Sequence, residues 1–349
     1  MKKHLLVLSA LSLAVAAAHA QSSVTIFGIL DVNLAYGSGS IANRTQLYRG
    51  GQSTPRIGFR GEEDLGGGLK AGFWLEGQVN PDDGTGAGTD TNNQASGNGP
   101  AAAGGQGLVF ARRSTVSLKG NWGEVRLGRD IVPNYNGLVR GDLFGNVGVG
   151  AAILYTAIIA GDVKVRASNM FSYLSPNVGG FTVQVSNWRG ENASGTPTAD
   201  DGTGTGLEVV YDKGPLKLSA GWGRTTYATG DVVESSVHAG YNFGVARVVA
   251  TFSRDSAGSL DANGGEIGVG VPVGKGEAKA EYSYYRKSTG VDGTKFAVGY
   301  VYNLSKRTAL YATGANISNS GGASYALNSA STGKNESSTG YDLGIRHSF

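Results

Sequence analysis

Residues 21–349 are expected to form an all-β, antiparallel transmembrane β-barrel of sixteen strands, and three observations lead there. The first is a period of two. In Ser338–Phe349, Tyr341, Leu343, Ile345 and Phe349 alternate with Asp342, Gly344, Arg346 and Ser348, which marks a strand with one apolar and one polar face. The second is segmentation: short alternating stretches are joined in turn by tight Gly/Asn/Asp turns and by longer polar loops, while no apolar run reaches the roughly 18 residues of a membrane helix. The third is the terminus itself. A final strand running to an aromatic last residue would leave a soluble sheet with a sticky edge, whereas pairing it with the first strand closes the sheet and removes the edge.

Ahead of the barrel, residues 1–20 have the three parts of a secretory leader. Lys2 and Lys3 form the charged start, Leu5 to Ala18 the apolar stretch and Ala18-His19-Ala20 the cleavage site, so the mature chain should begin at Gln21. The sixteen segments then follow in order. Residues 23–36 open the barrel; 54–63 and 69–79 flank the turn Asp64–Gly68, and a Gly-rich loop spans 80–106. Segments 107–119 and 124–132 flank Gly120–Gly123, and a long connection covers 133–165. Segments 166–175 and 179–189, 204–212 and 215–226, 232–242 and 245–255, 264–272 and 276–288, and 294–303 and 307–317 pair across short turns, and 339–349 closes. An even count keeps both termini on one side.

Within segments the two rows separate cleanly. Ala278, Ala280, Tyr282 and Tyr284 oppose Glu277, Lys279, Glu281 and Ser283; Phe296, Val298, Tyr300 and Tyr302 oppose Lys295, Gly299 and Asn303; Leu216, Leu218, Ala220 and Trp222 oppose Lys217 and Ser219. The charged rows belong toward a wet interior, because Lys or Glu in hydrocarbon costs about 2–4 kcal/mol near the midplane. Tyrosines and the tryptophans Trp122 and Trp188 near segment ends fit aromatic girdles. The alternative, a soluble β-sandwich, lacks enough complementary apolar surface to fill the core of so wide a sheet.

Composition narrows the function classes. Without Lys2 and Lys3 the chain carries 28 basic and 27 acidic residues, a formal charge near +1, so no global field points to nucleic acid. There are no cysteines, and beyond the leader only His238 and His347 remain, which excludes a disulfide framework and a histidine-rich metal cluster. No metal or other cofactor is expected. The 58 glycines follow no collagen period.

The terminal strand and its His347-Ser348-Phe349 ending resemble those of trimeric Gram-negative porins. Ser23–Asp31 resembles the porin first strand, Arg56–Ala71 the second hairpin, Gly123–Arg129 the strand leading into the third loop, and Ser172–Phe181 the turn after it. Together these resemble the general porins of β-proteobacteria over essentially all of 21–349. The resemblance implies a homotrimer of sixteen-stranded barrels in the outer membrane, set among lipid and lipopolysaccharide, passing small hydrophilic solutes and anions. It also implies a third external loop folded into each barrel.

A diffusion pore needs fixed charge at its narrowest point rather than a catalytic constellation. Ile57 and Phe59 share one face, so Arg56, Arg60 and Glu62 face water, with the two arginines about 13 Å apart at strand rise. Arg56 and Arg60 match basic positions of the family's second strand, and Arg166 matches the arginine after its third loop. Arg112 stands where a fourth-strand arginine would be, although Arg113 competes by parity. Ile29 replaces the basic residue of the first strand in enteric porins. The connection 133–165 should form the opposite wall, with Asp142 as its acid facing the arginines. Asp130 and Asp162 flank it, and this sparse acidity suggests anion preference. Ala151–Ala160 either anchors the loop or makes a less polar constriction.

Other readings are weaker. Gly145-x-x-Gly148-x-Gly150 lacks a P-loop lysine, and Pro81–Gly86 resembles a single calcium repeat. Trp188-Arg189 and Tyr285-Arg286-Lys287 fit interfacial anchoring better than nucleic-acid binding. The rivals to a general pore are a substrate-selective channel of the same architecture, a plugged structural barrel, and a barrel enzyme built around the inward-facing His238, which no serine elbow accompanies.

Overall fold

A computed structural model describes residues 23–88, 93, 108–159 and 163–349. The leader with its cleavage site, most of loop 80–106, and Asp162 lie outside the described residues.

Among the described residues, seventeen strands form one closed antiparallel sheet. They are β1 (Ser23–Ser38), β2 (Arg44–Arg49), β3 (Arg56–Gly66), β4 (Leu69–Gln78), β5 (Arg113–Gly120), β6 (Gly123–Ile131), β7 (Arg166–Leu174), β8 (Phe181–Trp188) and β9 (Gly204–Lys213). There follow β10 (Leu216–Thr225), β11 (Val232–Asn242), β12 (Arg247–Ala257), β13 (Leu260–Val273), β14 (Gly276–Lys287), β15 (Asp292–Asn303), β16 (Thr308–Ser320) and β17 (Ser338–Ser348). Two short helices, α1 (Pro133–Val139) and α2 (Ile153–Ala157), lie in the connection between β6 and β7.

Sixteen staves and seventeen strands are reconciled at the second stave, which is broken. β2 pairs with the upper part of β1 (Val32 opposite Arg49) and β3 with its lower part (Ile29 opposite Arg56). Between them the chain leaves the sheet at Gly50 and returns at Arg56. The detour is held by Asp31, whose Oδ2 accepts from the backbone N–H groups of Gln52 at 3.0 Å and Ser53 at 2.6 Å. The sequence reading missed β2 because six residues between two glycine-bearing stretches carry little periodicity. A second difference concerns the loop side. β12 and β13 are joined by Gly258-Ser259 alone, and β14 and β15 by only the four residues 288–291, so long and short connections do not alternate throughout.

Closure follows the expected route. Val32 lies opposite Ile345 and Tyr36 opposite Tyr341 across the β1–β17 seam, and Gly28 and Phe349 exchange two backbone hydrogen bonds of 3.0 Å. Gly28 is required there, since a Cβ would sit 2.3 Å from the Phe349 ring. Outward rows are apolar and exposed, among them Leu34, Leu343, Ile345, Phe296 and Val298. Trp122 belongs to the turn-side rim, where it stacks on Tyr173. Trp188 does not: it is 1% exposed and points inward, packed with Val132, Val163, Ala167 and Met170. An aromatic at a strand end takes whichever face its parity gives, and Trp188 shares the inward row of Ser186 and Gln184.

The β6–β7 connection folds into the barrel and supplies most of its apolar core. Pro133 starts α1, where its missing N–H is no loss. α1 lies on β10 because the inward row there is Ser219, Gly221, Gly223: a Cβ on Gly137 would come within 2.8 Å of the Gly221 Cα. Leu143 and Leu154 sit over Gly268 and Gly264 of β13, and Phe144 and Ile153 over Gly299 and Gly293 of β15. Ile153 and Leu154 are fully buried, clustered with Leu138, Phe144, Val149, Tyr285 and Ile317. The described part of Ala151–Ala160 is therefore the loop's anchor, not an apolar constriction.

Candidate functional site: an arginine-lined pore

Once the loop lies along β8–β17, the lumen that remains open is bounded on its other side by β3–β6. On that bare wall three of the expected arginines meet. Arg56 heads β3, at the point where the broken stave rejoins the sheet. Arg112 precedes β5, its backbone N–H donating to the Glu76 carbonyl at 3.0 Å. Arg166 opens β7, and its Nε donates to the Arg112 carbonyl at 2.7 Å. Arg112 Nε lies 2.6 Å from Glu76 Oε1, and an Arg56 guanidinium nitrogen lies 3.4 Å from the same oxygen. Glu76 thus holds two guanidinium groups together while offsetting one charge among three.

Arg60 stands two inward positions further along β3, past Gly58, and closer to the short-turn rim than Arg56. Its guanidinium carbon is 5.2 Å from the Phe27 ring centroid and 5.1 Å from that of Trp74. The competition between Arg112 and Arg113 resolves without a loser, since both point inward. Arg113 follows strand parity, reaches to 3.5 Å from Asp130 Oδ2 and lies 4.6 Å over Trp74, while Arg112 precedes the strand and is turned in by Glu76.

Asp142 does not face the arginines. Its Oδ1 accepts from the Phe144 N–H at 2.6 Å, and its Oδ2 is closed to solvent without a hydrogen-bond partner. The cations that act on it most are Lys295 and Lys279 of the covered wall, and burial pushes its carboxyl up to about 6. The reason is local. The backbone at Gly141–Gly145 turns the residue toward β13–β15, where Leu143 N–H donates to Glu281 Oε2 at 3.2 Å and Lys279 Nζ donates to the Leu143 carbonyl at 2.6 Å. What the loop turns toward Arg112 and Arg166 is the phenol of Tyr135, bonded to Asn146 and kept neutral because burial pushes its pKa above the ordinary tyrosine value.

His238 is inward and buried, as parity required. Its Nδ1 lies 3.3 Å from Thr251 Oγ1, and Gly141 packs directly over it. It is a wall residue beneath the loop, closed off from the lumen. Among the described residues no group of acids and histidines is arranged to hold a metal ion.

Sequence reasoning missed Glu76 and Trp74, although Lys70, Gly72, Trp74, Glu76 and Gln78 form an unbroken inward row of β4. The signal was the period of two already used on its neighbour.

Residues 7–323 match the family described as Gram-negative porin. The chain belongs to the Gram-negative porin family. It is 41% identical to outer membrane porin protein 32 of Delftia acidovorans, over the whole of both chains. It is 29% identical to an outer membrane porin protein of Bordetella pertussis, again over both full lengths. Among solved structures, it resembles the anion-selective porin from Comamonas acidovorans with a TM-score of 0.83 and 39% identity, covering 94% of this chain and 100% of that one. The porin is therefore a multi-pass outer-membrane channel and not an enzyme, and the sixteen-stave barrel with its inward loop is its conducting body.

Proposed function

We propose that this porin is a general diffusion channel for small hydrophilic solutes that favours anions. The observation carrying the reading is the convergence of Arg56, Arg112 and Arg166 beside one carboxylate, Glu76, across from a loop that offers the neutral Tyr135 and Asn146. Guanidinium groups keep their charge at every accessible pH, and a confined, low-dielectric passage magnifies their field. Anions are drawn to such a ring while cations meet a barrier. The Comamonas relative's anion selectivity agrees with this reading.

The same proposal gives Arg60 and Arg113 a place in the field below the ring, and leaves Asp142 out of it. It takes the porin as a homotrimer among outer-membrane lipid and lipopolysaccharide, with the leader removed after Ala20.

The test is the zero-current potential of single channels across a potassium chloride gradient. The porin should show an anion-signed potential, and Arg56→Gln combined with Arg112→Gln should bring it close to zero or reverse it. A cation-signed potential in the unaltered porin overturns the proposal. Flux that saturates with one solute, together with blockade by that solute, would replace it with a substrate-selective channel.

A further inference from the structure

Below the arginine ring, toward the short-turn rim, the bare wall contains a recess of about 330 Å³ whose lining includes Arg60, Trp74, Arg113, Lys119 and Arg126. It exists because small residues interrupt the inward rows. Gly72 lies beside Ser117, and Thr115 lies beside Gly128, where the register puts them directly opposite. A Cβ on Gly72 would come within 2.9 Å of the Ser117 hydroxyl, so the floor is already as low as the backbone permits. A larger residue in any of these rows would fill the recess.

Its chemistry differs from that of the ring above. Two guanidinium groups lie over the Trp74 ring, those of Arg113 and Arg60, with their central carbons 4.6 Å and 5.1 Å from its centroid. The indole N–H is bonded away to Glu76 Oε2 at 3.2 Å, which fixes the ring's orientation. The cations are unequally neutralised. Glu62 is shared between Lys70 at 2.7 Å and Lys119 at 2.9 Å, and Arg126 is held by Glu124 at 2.8 Å. Arg60 is exposed and, among the described residues, has no carboxylate within ion-pair reach. The recess therefore offers a guanidinium without a carboxylate partner for a charge, beside planar, polarisable surfaces for a flat group.

We propose that this recess is a second binding site in the pore, selective for anions that carry an aromatic ring: small aromatic carboxylates. The carboxylate pairs with Arg60, and the ring stacks on the Arg113–Trp74 layer. Planar guanidinium and indole faces favour a flat π-system over a puckered aliphatic ring of the same charge. Its size lies at the small end of ligand pockets, suited to a single ring. The inference rests on the pore admitting anions, and it adds a discrimination by shape that the ring of arginines does not provide.

The experiment compares benzoate with cyclohexanecarboxylate as blockers of chloride current through single channels. The two carry the same charge and similar bulk but differ in planarity. Benzoate should reach half-blockade at a concentration about tenfold lower, the value of one good stacked contact. Trp74→Leu should erase that gap while leaving the zero-current potential in potassium chloride anion-signed. Arg60→Gln, which leaves Trp74 and Glu76 in place, should weaken block by both anions and benzoate more. Equal half-blocking concentrations in the unaltered porin overturn the inference, as does a gap that survives both substitutions. A cation-signed potential would instead sink the selectivity assigned to Arg56, Arg112 and Arg166. A Trp74-dependent preference for benzoate in such a channel would still establish the recess.

Discussion

The two sides of the lumen are built on the same period of two and filled in opposite ways. From β10 to β15 the inward rows are rich in Gly, Ala and Ser, and a loop of two short helices lies on them. From β3 to β6 the inward rows carry Arg56, Arg60, Trp74, Glu76, Arg113 and Arg126, and among the described residues neither short helix packs on these strands. Charges occur on both sides. On the covered wall Glu266, Glu281, Lys279 and Lys295 are spent on the loop, Lys295 Nζ reaching the Ala151 carbonyl at 2.5 Å and Glu266 the Tyr155 hydroxyl at 2.7 Å. On the bare wall Arg56, Arg112, Arg113 and Arg126 pair only with carboxylates of the wall itself and none is tied to the loop. An inward charge is thus a pore charge only where no glycine row invites a second layer.

The sharpest way to break this contrast is to lift the second layer. Leu154→Ala removes a fully buried side chain from the anchor and should weaken loop docking by about 2–5 kcal/mol. Larger conductance and frequent current steps in single-channel records are the expected result. An unchanged, quiet current would show that the loop is held by its polar contacts alone.

Asp142 gives a pH-dependent version of the same test. Its carboxyl titrates near 6 in the docked loop against an ordinary value of 3.8, facing Glu266, Glu281, Tyr155, Lys279 and Lys295. A raised value means the docked loop holds the proton more tightly than the free loop does. That stabilisation is complete below about pH 4 and is lost as pH rises through about 6. Current fluctuations should therefore increase from pH 4 to pH 7, and Asp142→Asn should flatten the rise. A variant with the unaltered porin's pH profile would assign the effect to Glu266 and Glu281.

On the bare wall, Glu76→Gln removes the one carboxylate between Arg56 and Arg112. Two partly exposed charges a few ångströms apart interact by about 1–4 kcal/mol, so anion preference should strengthen by severalfold at low salt and less at high salt. A drop in anion preference would mean that Glu76 matters more for holding the guanidinium groups in place than for its charge. Smallest of all, Trp122→Phe at the exposed rim keeps an aromatic against Tyr173 and should leave conductance unchanged. A measurable shift would tie the rim to the lumen.

What the sequence disclosed follows the same division. Strand rows, the seam at Phe349 and the inward direction of Arg56 and Arg60 were legible because side-chain direction in a strand is fixed by parity. Asp142 was not, since in a folded-in loop the direction of a carboxylate depends on each turn of the backbone, and no period records it. Trp188 was misplaced by its position near a strand end when its row would have placed it correctly. The glycines at 264, 268 and 270 and at 293 and 299 were readable as a row awaiting a cover. Their meaning needs the knowledge that β13 and β15 flank a common floor, which is a fact of topology and absent from local pattern.

The break in the second stave has a consequence for how the channel tolerates change. The detour at residues 50–55 joins Arg56 to the sheet, and its Gly51 and Gln52 also abut Gly148 and Gly145 of the inward loop. One residue gained or lost between Gly50 and Pro55 could be absorbed by a one-step slip of β3, which would turn Arg56 and Arg60 to the lipid and Ile57 and Phe59 to the water. In this barrel a hexapeptide serves as the gauge of the pore, and its length is under tighter constraint than its chemistry.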